Sequence, residues 1–176
     1  MLKPGGIEVE QKARERVQAL TEIKELEEKK GRSTAARAEL AKLEVLRSRF
    51  YKEERNFGGY QPIIELTVRN GTSHAISRAY FVGTLSSPGR SVPWLKEDFN
   101  YEISGGVEPG KKVSWRLSPN MFSTWGSIKA PSDAVFTVEV ERLDGPDKKA
   151  LHSARDFTEQ DAERLEKLKK KYKVAG

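Results

Sequence analysis

Cysteine is missing from all 176 residues, which excludes disulfides, thiolate nucleophiles and cysteine-ligated zinc without fixing a compartment. Histidine is scarce: His74 and His152 stand far apart, and neither has a histidine or carboxylate at ligand spacing, so two surface histidines, no metal and no cofactor are expected. No run of about 18 apolar residues occurs, so nothing reads as a membrane span. The opening "MLKPGGIEVE" lacks the apolar stretch of a signal peptide. No G-x-S-x-G surrounds any serine, and the adjacent acids Glu97 and Asp98 fall on opposite sides of a strand, where they cannot act as a dyad. Among function classes an enzyme is therefore the one these residues support least.

Apolar residues make up only 36% of the chain and charged ones 33%, which suits a modest core with a charged extension. The net charge of +6 is spread thinly: 14 Lys+Arg against 11 Asp+Glu in residues 1–57, 12 against 11 in residues 58–157, and 6 against 4 in residues 158–176. Only "KLKKKYK", Lys167 to Lys173, is a concentrated basic run, and the end of a helix is where such a run complements the macrodipole.

Three regions follow from periodicity. From Ile7 to Lys30 the chain has no proline or glycine, and Val9, Ala13, Val17, Leu20 and Ile23 draw a stripe at helical spacing. Gly31 reads as a stop and Ser33 or Thr34 as the cap of a second helix with the stripe Ala36, Leu40, Leu43, Leu46 or Arg47, and Phe50, which together make an antiparallel hairpin over residues 1–57; one long broken helix is the other arrangement the pattern allows. Past the aromatics Phe50, Tyr51, Phe57 and Tyr60 the period falls to two in "PIIELTVRN", "HAISRAYFVGTL", "DFNYEI", "KVSWRL" and "AVFTVEV", with "ALHSARDF" as a further strand. Strands without intervening helices predict an antiparallel β-sandwich over residues 58–157, and the fold class is α+β. Thr158 with Asp161 three residues on starts a helix over residues 158–176, with Ala162, Leu165, Leu168 and Tyr172 on its apolar side.

The stretch "GGVEPGKK" resembles a phosphate cradle, but a strand follows its glycines where a cradle needs a helix N-terminus. Pro109-Gly110 fits a type II turn, and Gly105-Gly106 a bulge or bend. Asn70-Gly71-Thr72 matches a glycosylation acceptor, yet Asn-Gly between two strands reads first as a turn. Two loops stand out. In "SPNMFSTWGS", Met121, Phe122 and Trp125 either cover the end of the core or face a partner; in "SSPGRSVPW", Arg90 and Trp94 could form a shelf for a sugar or peptide.

Taken together, the helical start followed by "IIELTVRN", "AISRAYFVGTL" and "GGVEPGKKVSW" resembles bacterial envelope lipoproteins carrying an immunoglobulin-like domain of the FxLYD kind, over about residues 60–143. The resemblance implies an Ig-like sandwich, a periplasmic location, a non-catalytic role and membrane attachment through a lipid anchor upstream of Met1. The expected function is then a protein–protein interaction or structural module, with contacts through the hairpin stripe at Val17 (a protein partner or self-association) and through the Met121–Trp125 loop. A glycan-binding module using Trp94, Trp125 and Arg90 is the first alternative. Nucleic-acid binding through Lys167 to Lys173 is the second.

Overall fold

A computed structural model describes residues 4–175 of the chain. The elements in order are α1 (Pro4–Leu40), β1 (Leu43–Glu54), β2 (Tyr60–Asn70), β3 (Ile76–Ser86), β4 (Leu95–Val107), β5 (Lys112–Leu117), α2 (Thr124–Ser127), β6 (Val135–Asp144), β7 (Ala150–Ser153) and α3 (Glu159–Lys171). The architecture is α+β, with a helix at each end and two antiparallel sheets. The chain divides into two units, residues 1–36 with 154–176 and residues 37–153.

The expected N-terminal helical hairpin is not present. A single helix runs through Gly31 to Leu40. The exposed glycine costs about 1 kcal/mol against alanine, which good helix formers on both sides absorb. Neither expected cap starts a new helix: the Thr34 hydroxyl donates to Lys30 O at 3.0 Å, one turn back, and the buried Ser33 hydroxyl donates to Ala154 O at 3.3 Å. The rest of the supposed second helix is strand β1, paired along its length with β2. A register shift between Val45 and Arg47 explains the mistaken period, because it breaks the two-residue alternation and leaves Leu43, Leu46 and Phe50 at helix-like steps of three and four.

In the helical unit, α1 finds its partner in α3. Ala19, Ile23 and Leu26 bury against Leu165 and Leu168, with Phe157, Tyr172 and Val174 packed at the margin. Thr158 caps α3 as its sequence implies: its hydroxyl accepts from Asp161 N at 3.1 Å while its own N–H donates to the Asp161 carboxylate. Three ion pairs cross the contact, Arg164 gripping Glu22 with two N–H groups at 2.9 and 3.1 Å, Lys29 to Asp161 at 3.1 Å, and Lys169 to Glu27. Arg164 holds the Glu22 carboxyl below its usual range, Lys169 does the same to Glu27, and the Thr158 N–H followed by Lys29 lowers Asp161. Carboxylates lowered on folding stabilise above their unfolded pKa, and that stability is lost as pH falls through their folded values. Amide-exchange protection at Leu165 and Leu168 is therefore expected to fall as pH drops below the ordinary carboxylate range, while protection at Phe81 in the other unit persists. Unchanged protection of α3 down to about pH 2.5 would remove the ion pairs from the account.

In the β-rich unit the strand orders are β1-β2-β5 and β4-β3-β6-β7. Ile64, Leu66, Val68 and Trp115 of the first sheet and Ala79, Phe81, Leu85 and Phe136 of the second are buried. The sheets meet through rings: Phe81 lies 6.3 Å from Trp115, Tyr101 4.9 Å from Trp115, and Phe50 6.0 Å from Phe136, centre to centre. Gly105 and Gly106, at φ of +77° and +70°, sit where β4 takes extra residues against the Ile76–Arg78 step of β3, so the pair makes a bulge. After it, Lys111 N donates to Glu108 O at 3.1 Å across the Pro109-Gly110 turn.

Candidate functional site

The loop between β5 and β6 carries three of the residues singled out from sequence, and the structure sends them in different directions. Trp125 turns inward and is buried, with ring centres 5.6 Å from Phe50, 5.9 Å from Phe99 and 6.0 Å from Phe136, the last two edge to face. Lys52 holds the short helix α2 from below by donating to Gly126 O at 3.0 Å and Ile128 O at 2.5 Å. Position 126 has no room for a side chain, since a Cβ there would lie 1.8 Å from Met121 O. This tight seat fixes the indole over the core. Phe122, three residues before Trp125, points the other way and is 87% exposed.

Met121 links that loop to the turn between β1 and β2. The Arg55 guanidinium donates to Met121 Sδ at 2.9 Å, and the turn itself is closed by Arg55 N donating to Gly59 O at 3.0 Å. The turn holds Phe57, fully in water at 102% exposure. One end of the β-rich unit thus displays two phenylalanines, Phe57 and Phe122, on adjoining loops, with the half-buried Met121 between their supports. Phe57 was counted in the sequence only among the aromatics that mark the change of period. Its signal was the setting "ERNFGGY", a large ring inside a polar, glycine-closed turn.

Arg90 and Trp94 are brought together, but around each other. The Arg90 guanidinium lies 3.6 Å from the Trp94 ring centre, and the indole N–H donates to Ser87 Oγ at 2.8 Å, whose hydroxyl donates to Asp133 at 3.0 Å. The Trp94 face is occupied by its own chain, and the buried Trp125 offers no face either. Val17 lies on the helical unit at 64% exposure, on the same side of α1 as Val9 at 68%. Lys169, inside the basic run, is taken up by Glu27.

The glycosylation-like triplet is internal. Asn70 is fully buried; its amide donates to His74 O at 2.8 Å and Val107 O at 2.9 Å, and its carbonyl accepts from Thr72 N at 3.0 Å. His74 and His152 reach no metal cluster: among the described residues no three His, Asp or Glu side chains are placed to hold an ion. Among those residues, too, no helix is long and apolar enough to cross a membrane. A shallow cavity of about 500 Å³ beside the β4 bulge is lined by Ser77, Glu102, Gly106, Glu108 and Lys148; among the described residues no buried side-chain polar atom lacks a hydrogen-bond partner. Compared with protein families, with curated proteins and with solved structures, the chain matches none.

Proposed function

We propose that the β-rich unit is an Ig-like sandwich serving as a non-enzymatic protein-binding module of the bacterial cell envelope, with its contact surface at the Phe57–Phe122 end. The observation that carries this reading is the pair of water-exposed phenylalanines held on adjoining, internally braced loops. A large apolar ring on a rigid loop loses little entropy on docking, which is why such rings anchor protein interfaces. Strand order supports the Ig-like reading: with β1, β2, β3, β4, β5, β6 and β7 taken as A, B, C, C′, E, F and G, the sheets read A-B-E and C′-C-F-G, the immunoglobulin arrangement with its fourth strand moved to the second sheet. The envelope location rests on the resemblance of residues 60–143. Glycan binding draws less support, because Arg90 covers the Trp94 face and Trp125 is buried.

The test is photo-crosslinking in cells from positions 57 and 122, with position 17 as the comparison. Capture of the same protein from both loop positions, lost on Phe122→Asp, is the expected result. Adducts from position 17 alone would move the contact to the helix, and none from 57 or 122 would overturn the reading.

A further inference from the structure

Strand β4 ends the four-stranded sheet, and no strand among the described residues pairs with its outer side. Unpaired edges are templates for another strand unless charge, bulge or brevity blunts them. This one is long, and its regular part is bounded by Pro93 before Leu95 and by the glycine bulge after Ile103, which puts its midpoint at Phe99. Register with β3 sets Lys96, Asp98, Asn100 and Glu102 on the outer face and Glu97, Phe99 and Tyr101 on the inner one. Phe99 and Tyr101 are half-buried, and the charged and amide residues are exposed. Lys96 and Asp98 have no ion-pair partner among the described residues.

We propose that β4 pairs antiparallel with β4 of a second copy about a twofold axis through Phe99, joining two four-stranded sheets into one. The surface goes beyond the Phe57–Phe122 reading and does not depend on it. A twofold contact is self-complementary, so if one residue meets another, the second meets the first across the axis. Centred on Phe99, Lys96 of each copy faces Glu102 of the other, Asp98 faces Asn100, and Glu97 faces Tyr101. The rows match ammonium to carboxylate, carboxylate to amide N–H, and carboxylate to phenol, with ring on ring at the centre. Lys96, Glu97 and Asp98, which have no ion pair among the described residues, each gain a partner, and Glu102 adds Lys96 to its contacts with Arg78 and Lys148. The register is singled out by charge. Because paired residues must share a face, the nearest alternatives are shifts to centres at Asp98 or Asn100; the first sets Asp98 against itself, and the second sets Asp98 against Glu102 twice. Main-chain hydrogen bonds supply the attraction, as in other strand additions at sheet edges, and the bulge stops the pairing past Ile103.

Sedimentation equilibrium of the whole chain over roughly 1–500 µM, a span that brackets micromolar dimers, tests this. The expected result is a concentration-dependent dimer, weakened about tenfold or more by Lys96→Glu, which turns two attractive rows into repulsive ones. Lys96→Glu with Glu102→Lys restores both rows in reversed polarity, so the double variant should dimerise again. Thermal melting shows that each surface variant is folded. A monomer throughout the range overturns the proposal, and so does a dimer indifferent to Lys96→Glu, because its contact would lie elsewhere. Loss at Lys96→Glu without recovery in the double variant overturns the register.

Discussion

Asn70→Ala is expected to destabilise the β-rich unit by about 3 kcal/mol, lowering the unfolding midpoint by roughly 10 °C. Asn70 ends β2 where several connections converge. Beyond its bonds to His74 O, Val107 O and Thr72 N, its main chain takes part in two more: its N–H donates to Lys111 O at 2.9 Å, and its carbonyl accepts from Gly110 N at 2.6 Å. Next to it, Gly71 N donates to Lys42 O at 2.7 Å. One side chain therefore ties the β2–β3 turn to the end of β4. Truncation removes the side-chain partners of Val107 O and Thr72 N at a buried position, while His74 O keeps its bond from the Thr72 hydroxyl at 2.9 Å, and the cost of unmet buried groups exceeds that of the lost bonds. Asn70→Asp keeps an acceptor for Thr72 but turns a carboxylate oxygen toward carbonyls, so it should cost at least as much as alanine at neutral pH and recover partly in acid. Urea unfolding of the three proteins checks the order. An alanine variant within about 0.5 kcal/mol of the parent, the range of ordinary surface changes, would mean that the network carries no stability.

Trp125→Ala should cost about 3–5 kcal/mol, because it empties the space between Phe50, Phe99 and Phe136 and removes two edge-to-face ring contacts. Phe122→Ala, three residues away, should change stability by less than about 0.5 kcal/mol. The comparison separates two roles that the sequence left joined, a lid on the core and a surface for a partner. Matched chemical-denaturation curves provide the readout. If Trp125→Ala proved as mild as Phe122→Ala, the indole would not be a lid, and the whole loop would return to the contact surface.

Much of the strand content was legible because period-two alternation survives wherever one face of a strand is wet. Ile64, Leu66 and Val68 announced β2, and Val113, Trp115 and Leu117 announced β5, without any knowledge of their neighbours. β1 was illegible for a local reason: its bulge put apolar residues at helical intervals, and Gly31, Ser33 and Thr34 carried the vocabulary of a helix boundary while the Ser33 and Thr34 hydroxyls bonded to Ala154 O and Lys30 O. The partner of α1 could not be read from α1 at all. Its buried residues Ala19, Ile23 and Leu26 form a narrower line than the exposed Val9, Val17 and Leu20, and only the arrival of Leu165 and Leu168 decides which line is covered. The candidate site divided in the same manner. Composition marked "SPNMFSTWGS" as unusual, but the inward turn of Trp125 and the outward turn of Phe122 depend on the Lys52 clamp and the lack of space at Gly126.

The helical unit is assembled from two stretches of chain that the whole of residues 37–153 separates, and Ser33 already touches Ala154. In polymer terms the β-rich unit is a loop inserted into a helix pair. Were that loop unfolded, bringing α3 to α1 would carry a closure entropy of about 4 kcal/mol, whereas a folded insert holds its own ends in place and removes most of that penalty. The small apolar contact between α1 and α3 is thus sustained partly by the folding of the segment that separates them in sequence. Damage at a residue of that loop such as Asn70 then reaches the helices through chain connectivity.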